Sequence, residues 1–255
     1  MAISQNPQCF LEFKVRHGEV GSDGFAKISE VANWFQETAG VHADLLGIGD
    51  DLLRRHNIAW ILARMSISVT RLPYHGESVK VRTWPAEAGR FYLRGYELID
   101  ASGNIIVKST SKWVTMDIMT RKLTVMPSDL LTNYPKNLFE VEPFEIHALP
   151  HVRDVKFEMP VLVRHDDLDI NGHVNNAKYF GWLKSFVDHL VNPSLIGKPF
   201  TLDAQISAEC FASDMLSLRS SDIETINLGK RQTHGYVMDI IRGENIICRA
   251  VYYPL

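Results

Sequence analysis

The sequence predicts an α+β fold built twice over. Three observations lead there. Two long amphipathic segments, residues 28–46 and 176–190, are each followed by strand-like segments. A hairpin pattern recurs in the same order after each of them. A proline-bearing stretch, residues 127–155, separates the two halves. A helix followed by a run of strands, rather than strict alternation of the two, is the α+β arrangement.

In the first helical segment Ile28, Val31, Phe35, Ala39, His42 and Leu46 recur at helical spacing. In the second, Phe180, Leu183, Val187 and Leu190 form the stripe, widened by Trp182 and Phe186, with Asn175 or Asn176 as N-cap. Ile61, Ala63, Met65, Ile67 and Val69 alternate with Leu62, Arg64, Ser66, Ser68 and Thr70, the period of a half-buried strand. Further strands are expected over 79–84, 90–99 and 105–116, then over 202–211, 215–219, 233–241 and 246–253. The recurring hairpin pairs Tyr96-Glu97-Leu98-Ile99-Asp100 with Tyr236-Val237-Met238-Asp239-Ile240. Its return strand pairs Asn104-Ile105-Ile106-Val107-Lys108 with Asn245-Ile246-Ile247-Cys248-Arg249. Ile67 to Arg71 likewise matches Ile206 to Cys210. A repeat of this size implies duplication of one domain. The expected organisation is residues 1–135, a surface-wrapping linker over 136–155, and residues 156–255.

The net charge of -3 and the absence of a basic patch disfavour nucleic acid as a partner. No apolar run is long enough for a membrane span. The cysteines Cys9, Cys210 and Cys248 have no CxxC spacing, which disfavours disulfides and structural zinc, and a reducing cytoplasm is the expected setting. No HExxH, phosphate loop or GxSxG elbow occurs, and neither metal nor cofactor is expected.

The chemistry concentrates in Arg164-His165-Asp166-Asp167-Leu168-Asp169-Ile170-Asn171-Gly172-His173-Val174-Asn175-Asn176, directly before the second helix. If that approach is extended, Asp169, Asn171 and His173 share one side of the chain. The backbone N–H groups of Val174, Asn175 and Asn176 would then offer an oxyanion site at the positive end of the helix. Asp and Asn before a helix are more often caps than catalysts. Two features weigh against the cap. The corresponding place in the first half holds Ser22, Gly24 and Ala26, and Glu209 with Cys210 stands where that half has Thr70 and Arg71. Arg164, Lys178 and Lys184 are candidates to meet an acidic partner, although such charges usually form a solvated helix face.

Asp167-Leu168-Asp169-x-Asn171-x-His173-Val174-Asn175-Asn176-x-Lys178-Tyr179, with Glu209-Cys210 later, resembles the acyl-acyl carrier protein thioesterases of plant plastids and their bacterial relatives. Trp60-Ile61-Leu62 and Gly89-Arg90-Phe91 extend the resemblance over nearly the whole chain. It implies a tandem double hotdog, each half a curved antiparallel sheet wrapped around a long central helix. The first half would shape the acyl pocket and the second would carry catalysis. It maps Asp169, Asn171, His173 and Glu209 onto the catalytic set, and Cys210 onto a cysteine once read as nucleophile. The implied activity is hydrolysis of fatty acyl thioesters on acyl carrier protein. The lack of a transit peptide points to a bacterial cytoplasmic member, with homodimerisation left open. For the chemistry, Glu209 or Asp169 would activate water or attack, and His173 would protonate the leaving thiol. The rival is a Cys210–His173–Asn171 triad with an acyl-enzyme. An acyl-coenzyme A thioesterase and a non-catalytic acyl sensor are the alternative functions.

Overall fold

A computed structural model describes residues 6–88, 90–135, 139–229 and 231–255. Gly89 and residues 136–138 of the expected linker lie outside them. The chain divides into two compact units. One holds Met1–Ala26, Asn33–Met65 and Pro73–Pro143, and the other Lys27–Ala32, Ser66–Leu72 and Phe144–Leu255.

The first copy of the repeat runs β1 (Cys9–Lys14), α1 (Ile28–Leu45), α2 (Asp50–Arg55), β2 (Ile58–Val69), β3 (Ser78–Glu87), β4 (Tyr92–Asp100), β5 (Ile105–Asp117), β6 (Leu123–Thr124) and α3 (Ser128–Leu131). The second runs β7 (Phe157–Leu162), α4 (Asn176–Phe186), β8 (Phe200–Ile206), β9 (Met215–Ser220), β10 (Glu224–Leu228), β11 (Arg231–Arg242) and β12 (Asn245–Pro254). Strand order is β1-β3-β4-β5-β2 in the first and β7-β9-β11-β12-β8 in the second. Position by position these are the same order, so the α+β duplication expected from the hairpins extends to the whole sheet. Each copy is a hotdog, an antiparallel sheet curled on a helix.

The helices form where the apolar stripes place them. Val31 and Phe35 on α1 are fully buried, and the Phe35 ring lies 5.0 Å from that of Tyr96 on β4. On α4, Phe180, Leu183 and Phe186 are fully buried. The second helix was expected to run to residue 190. Regular α-helix stops at Phe186, and Val187–Val191 follows as a π-helical turn. β1, β6, β7 and β10 were not expected. β1 and β7 end their strand orders and bury only Cys9 between them, so their sequence signal is faint.

The hairpin register corrects one alignment. In the first copy Leu98 pairs with Val107 and Ile99 with Ile105, which leaves Ile106 as a bulge. In the second, Ile240 pairs with Cys248 and Ile241 with Ile246, and Ile247 bulges. The return strands align as the sequence suggests. On the outgoing strand Leu98 matches Ile240, so Tyr96 corresponds to Met238 and not to Tyr236. The shorter turn of the second hairpin absorbs the difference.

The stretch between the halves is more than a surface wrap. Met126, Leu130 and Tyr134 join a buried cluster with Leu46, Ile48 and Tyr92. Ile146 and Leu149 are buried against Ile226, Val237 and Val251. Glu145 accepts from the Tyr253 hydroxyl at 2.7 Å and from Arg231 at 3.0 Å. No helix among the described residues is long and apolar enough to cross a membrane.

Candidate active site

The approach to α4 is a tight turn, and not the extended segment expected. Arg164 N–H donates to Asp167 Oδ2 at 2.9 Å, and Leu168 bridges Val174. Asp169 N–H donates to His173 O at 2.7 Å, and Gly172 N–H to Asp169 O at 3.0 Å. Gly172 has φ +79°, a left-handed conformation that side chains disfavour. Asp169 Oδ1 accepts from the backbone N–H of Asn171 at 2.8 Å and of His173 at 3.4 Å. Asn171 Nδ2 donates to Asp169 Oδ2 at 3.3 Å. A carboxylate that bonds its own chain two residues on outcompetes extension. Asp169, Asn171 and His173 are therefore brought together by this turn and not by strand alternation. Asn175 then caps α4, its Oδ1 accepting from Ala177 N–H at 2.9 Å.

Glu209 and Cys210 were expected on a strand reaching residue 211. β8 ends at Ile206. Beyond it the backbone leaves the sheet to meet the turn, with Val174 N–H donating to Cys210 O at 2.9 Å. Glu209 Oε2 lies 3.6 Å from His173 Nε2, and each side chain is 26% exposed. The His173 ring stands edge-on to Phe211 at 5.1 Å. Cys210 is fully buried, and burial pushes its thiol pKa up against the lowering influence of a hydrogen bond with Tyr179. One neighbour thus reaches the imidazole at the surface while the other is sealed in the core.

Two of the three expected oxyanion positions are corrected. Val174 N–H is donated to Cys210 O, and Asn175 N–H to Asp167 O at 2.8 Å. Satisfying these groups closes the turn and removes them as donors to a substrate. Lys184 is corrected as well. It is 8% exposed and held by Asp188, with Phe200 beneath its ammonium at 4.8 Å. Lys178 pairs with Asp167 at 3.2 Å, and Arg164 and His165 are exposed. Among the described residues no cluster of His, Cys, Asp or Glu has metal-holding geometry.

Family models for the acyl-ACP thioesterase N-terminal and C-terminal domains match residues 9–134 and 151–227. The chain belongs to the acyl-ACP thioesterase family. A chloroplastic palmitoyl-acyl carrier protein thioesterase of Cuphea hookeriana is 33% identical over 192 residues, which cover 67% of this chain and 45% of that one. A chloroplastic oleoyl-acyl carrier protein thioesterase of Arabidopsis thaliana is 32% identical over 231 residues, covering 83% and 62%. The chain thus spans about half the length of the first of these plant relatives. The fold matches an acyl-ACP thioesterase from Bacteroides thetaiotaomicron with TM-score 0.79 at 22% identity, covering 99% and 100% of the two chains. It matches a 12:0-ACP thioesterase from Umbellularia californica with TM-score 0.79 at 24% identity, covering 98% of each.

Within this acyl-ACP thioesterase fold, hydrogen bonds align the two copies better than sequence does. Gly21 N–H donates to Phe25 O at 2.9 Å, as Asp169 does to His173. Ala26 N–H donates to Pro73 O at 2.9 Å, as Val174 does to Cys210. Phe25 stands edge-on to Tyr74 at 5.4 Å, as His173 does to Phe211. The counterparts of Asp169, Asn171 and His173 are therefore Gly21, Asp23 and Phe25, one position from the expected Ser22, Gly24 and Ala26. Those of Glu209 and Cys210 are Leu72 and Pro73, two positions from Thr70 and Arg71. At the positions of Asp169, His173 and Glu209 the first copy holds Gly21, Phe25 and Leu72, so none of those three groups is repeated in place.

Sequence reading missed Arg242. Its Nη1 donates to Asp214 Oδ2 at 2.6 Å and to Glu209 O at 3.4 Å. Asp214 Oδ2 also accepts from Phe211 N–H at 2.9 Å. Arg242 thus grips both ends of the loop that carries Glu209. In an Arg-Gly-Glu hairpin turn it reads as a solvated charge. The signal was that its counterpart after the bulge is Asp100, a residue of opposite sign.

Proposed function

We propose that the chain hydrolyses fatty acyl thioesters on acyl carrier protein, with the second copy as the catalytic half and the first shaping the acyl pocket. The observation that carries this reading is the 3.6 Å approach of Glu209 to His173 on the turn that Asp169 orders, present in one copy of a duplicated fold. Glu209, or Asp169 in its place, takes a proton from water as the oxygen attacks the thioester carbon. The resulting oxyanion faces the positive end of α4. Collapse expels the thiol, protonated by His173, and leaves the free acid. Asn171 orients the water or the thioester.

A Cys210 acyl-enzyme fits less well. The thiolate is the nucleophile, and burial disfavours it here. A non-catalytic sensor does not account for the half-buried Glu209–His173 pair. An acyl-coenzyme A substrate would use the same groups. The free thiols Cys9, Cys210 and Cys248 suit a reducing cytoplasm. The test is hydrolysis of matched acyl carrier protein and coenzyme A thioesters across chain lengths. We expect higher kcat/KM on the carrier protein at every productive length. No hydrolysis of any thioester would overturn the proposal, and equal rates on both carriers would overturn its substrate.

A further inference from the structure

The first unit contains a buried cation with no anion beside it among the described residues. Arg94 on β4 is 8% exposed. Its Nη1 donates to His42 Nδ1 at 3.1 Å and to Thr83 Oγ1 at 3.3 Å. His42, on α1, is 1% exposed, and its Nε2 lies 3.0 Å from the backbone carbonyl oxygen of Asn6. A carbonyl only accepts, so Nε2 carries the ring proton and Nδ1 accepts from Arg94. The imidazole is therefore neutral, and burial together with the Arg94 charge holds its pKa down at about 4. Cys9 and Tyr96, which also lie in the electrostatic field of Arg94, are neutral as well, because burial raises the pKa of each. Among the described residues no carboxylate pairs with Arg94.

The guanidinium has donors to spare. It carries N–H groups on all three nitrogens, and among the described residues those of Nε and Nη2 meet no protein acceptor. They are not sealed either. Among the described residues the sealed, unpartnered side-chain atoms are Arg82 Nε, Ser109 Oγ and Tyr252 Oη. The Nε and Nη2 edge of Arg94 is therefore not fully enclosed by protein atoms. That edge presents two parallel N–H groups, the geometry that fits a carboxylate. Beside it on the same strand face are Tyr92 and Tyr96, 3% and 1% exposed, and Phe35 of α1 packs on Tyr96. A charge buried without a partner is costly, so such a site favours a ligand that supplies the charge.

We propose that Arg94, with Thr83 and His42 holding it, forms an internal carboxylate site in the first unit, and that its ligand is a fatty acid bound head-in. The carboxylate lies on Nε and Nη2. The carboxylate chemistry stands independently of the hydrolase reading. The choice of a fatty acid rests on that reading, which makes it the product.

Binding to the full chain tests this without any turnover, by calorimetric titration with decanoate, decanol and acetate. Decanoate binds saturably at one site per chain. Decanol binds at least about tenfold more weakly, the scale of a lost charge-assisted hydrogen bond. Acetate binding as tightly as decanoate would keep the anion site and overturn the fatty acid. Arg94→Met weakens decanoate by about tenfold or more, and Arg94→Lys by less. Glu209→Ala leaves decanoate affinity unchanged, which separates this site from the catalytic one. Equal affinity for decanoate and decanol, or a folded Arg94→Met protein with unchanged decanoate affinity, would overturn the proposal. Carboxyl-13C decanoate on the unaltered protein covers the case of an unfolded variant. Its bound carboxylate should stay ionised to lower pH than the free acid, and titration like the free acid would refute the contact with Arg94.

Discussion

Glu209 and Cys210 are adjacent, yet one meets His173 near solvent and the other is enclosed with Tyr179. The difference sets the mutational pattern. Asp169→Ala and Glu209→Ala should each lower kcat by about two orders of magnitude or more while the fold is retained, as for acid–base groups. Near wild-type turnover in either folded variant would remove that residue from the mechanism. Cys210→Ala should keep a substantial fraction of turnover, and iodoacetamide should inactivate slowly, because the thiolate is disfavoured. A trapped acyl-Cys210 adduct would reverse that assignment. Arg242 acts through Glu209 and Asp214. Arg242→Met should reduce kcat with little change in KM, and Arg242→Lys should restore part of the loss. The identities of Asp169, Asn171, His173 and Glu209 were legible as a pattern of residue types. Arg242 was not, because its contacts join positions 33 and 28 residues apart in the chain.

At the scale of elements, the turn into α4 is held by Gly172, Asp169 and the cap Asn175. Gly172→Ala meets no steric obstacle, since nothing lies within 4 Å of an added Cβ. Its cost is the left-handed backbone alone, about 1–2 kcal/mol. Gly24→Ala in the first copy should cost more, because its Cβ would also enter the Tyr74 ring. Urea denaturation of the two variants compares them, and a smaller loss for Gly24→Ala would contradict the packing account. The long helices and the strands of strong alternation were legible because their apolar periods are set by burial on one face. The end of β8 was not. Ser207 to Phe211 have the residue types of a strand, but their backbone groups are claimed by Ile247, Val174 and Asp214, which only the folded chain brings near.

For the molecule as a whole, one copy should be catalytic. Titration with a slowly hydrolysed acyl thioester analogue should give one site per chain, and two equivalent sites would contradict the asymmetry between His173 and Phe25. Stability should also depend on acid through His42. Its pKa falls from 6.5 to about 4 on folding, so between those values the unfolded chain binds a proton that the folded one does not. Stability is full above pH 6.5 and declines as pH falls toward 4, by up to about 3 kcal/mol at 1.36 kcal/mol per pKa unit. His42→Gln should flatten that decline in urea titrations, and an unchanged slope would remove His42 as its source. Duplication was legible from one hairpin, although its register was not, since a bulge has no signature in residue type. The shared turn has a practical side for protein engineering. The first copy keeps the hydrogen-bonded frame of the candidate site, and its positive-φ glycine, but not the Asp169, His173 and Glu209 groups proposed to react. Gly21→Asp, Asp23→Asn, Phe25→His and Leu72→Glu would write those groups into a socket that already has the right backbone, a four-letter route to a chain with a second reaction centre.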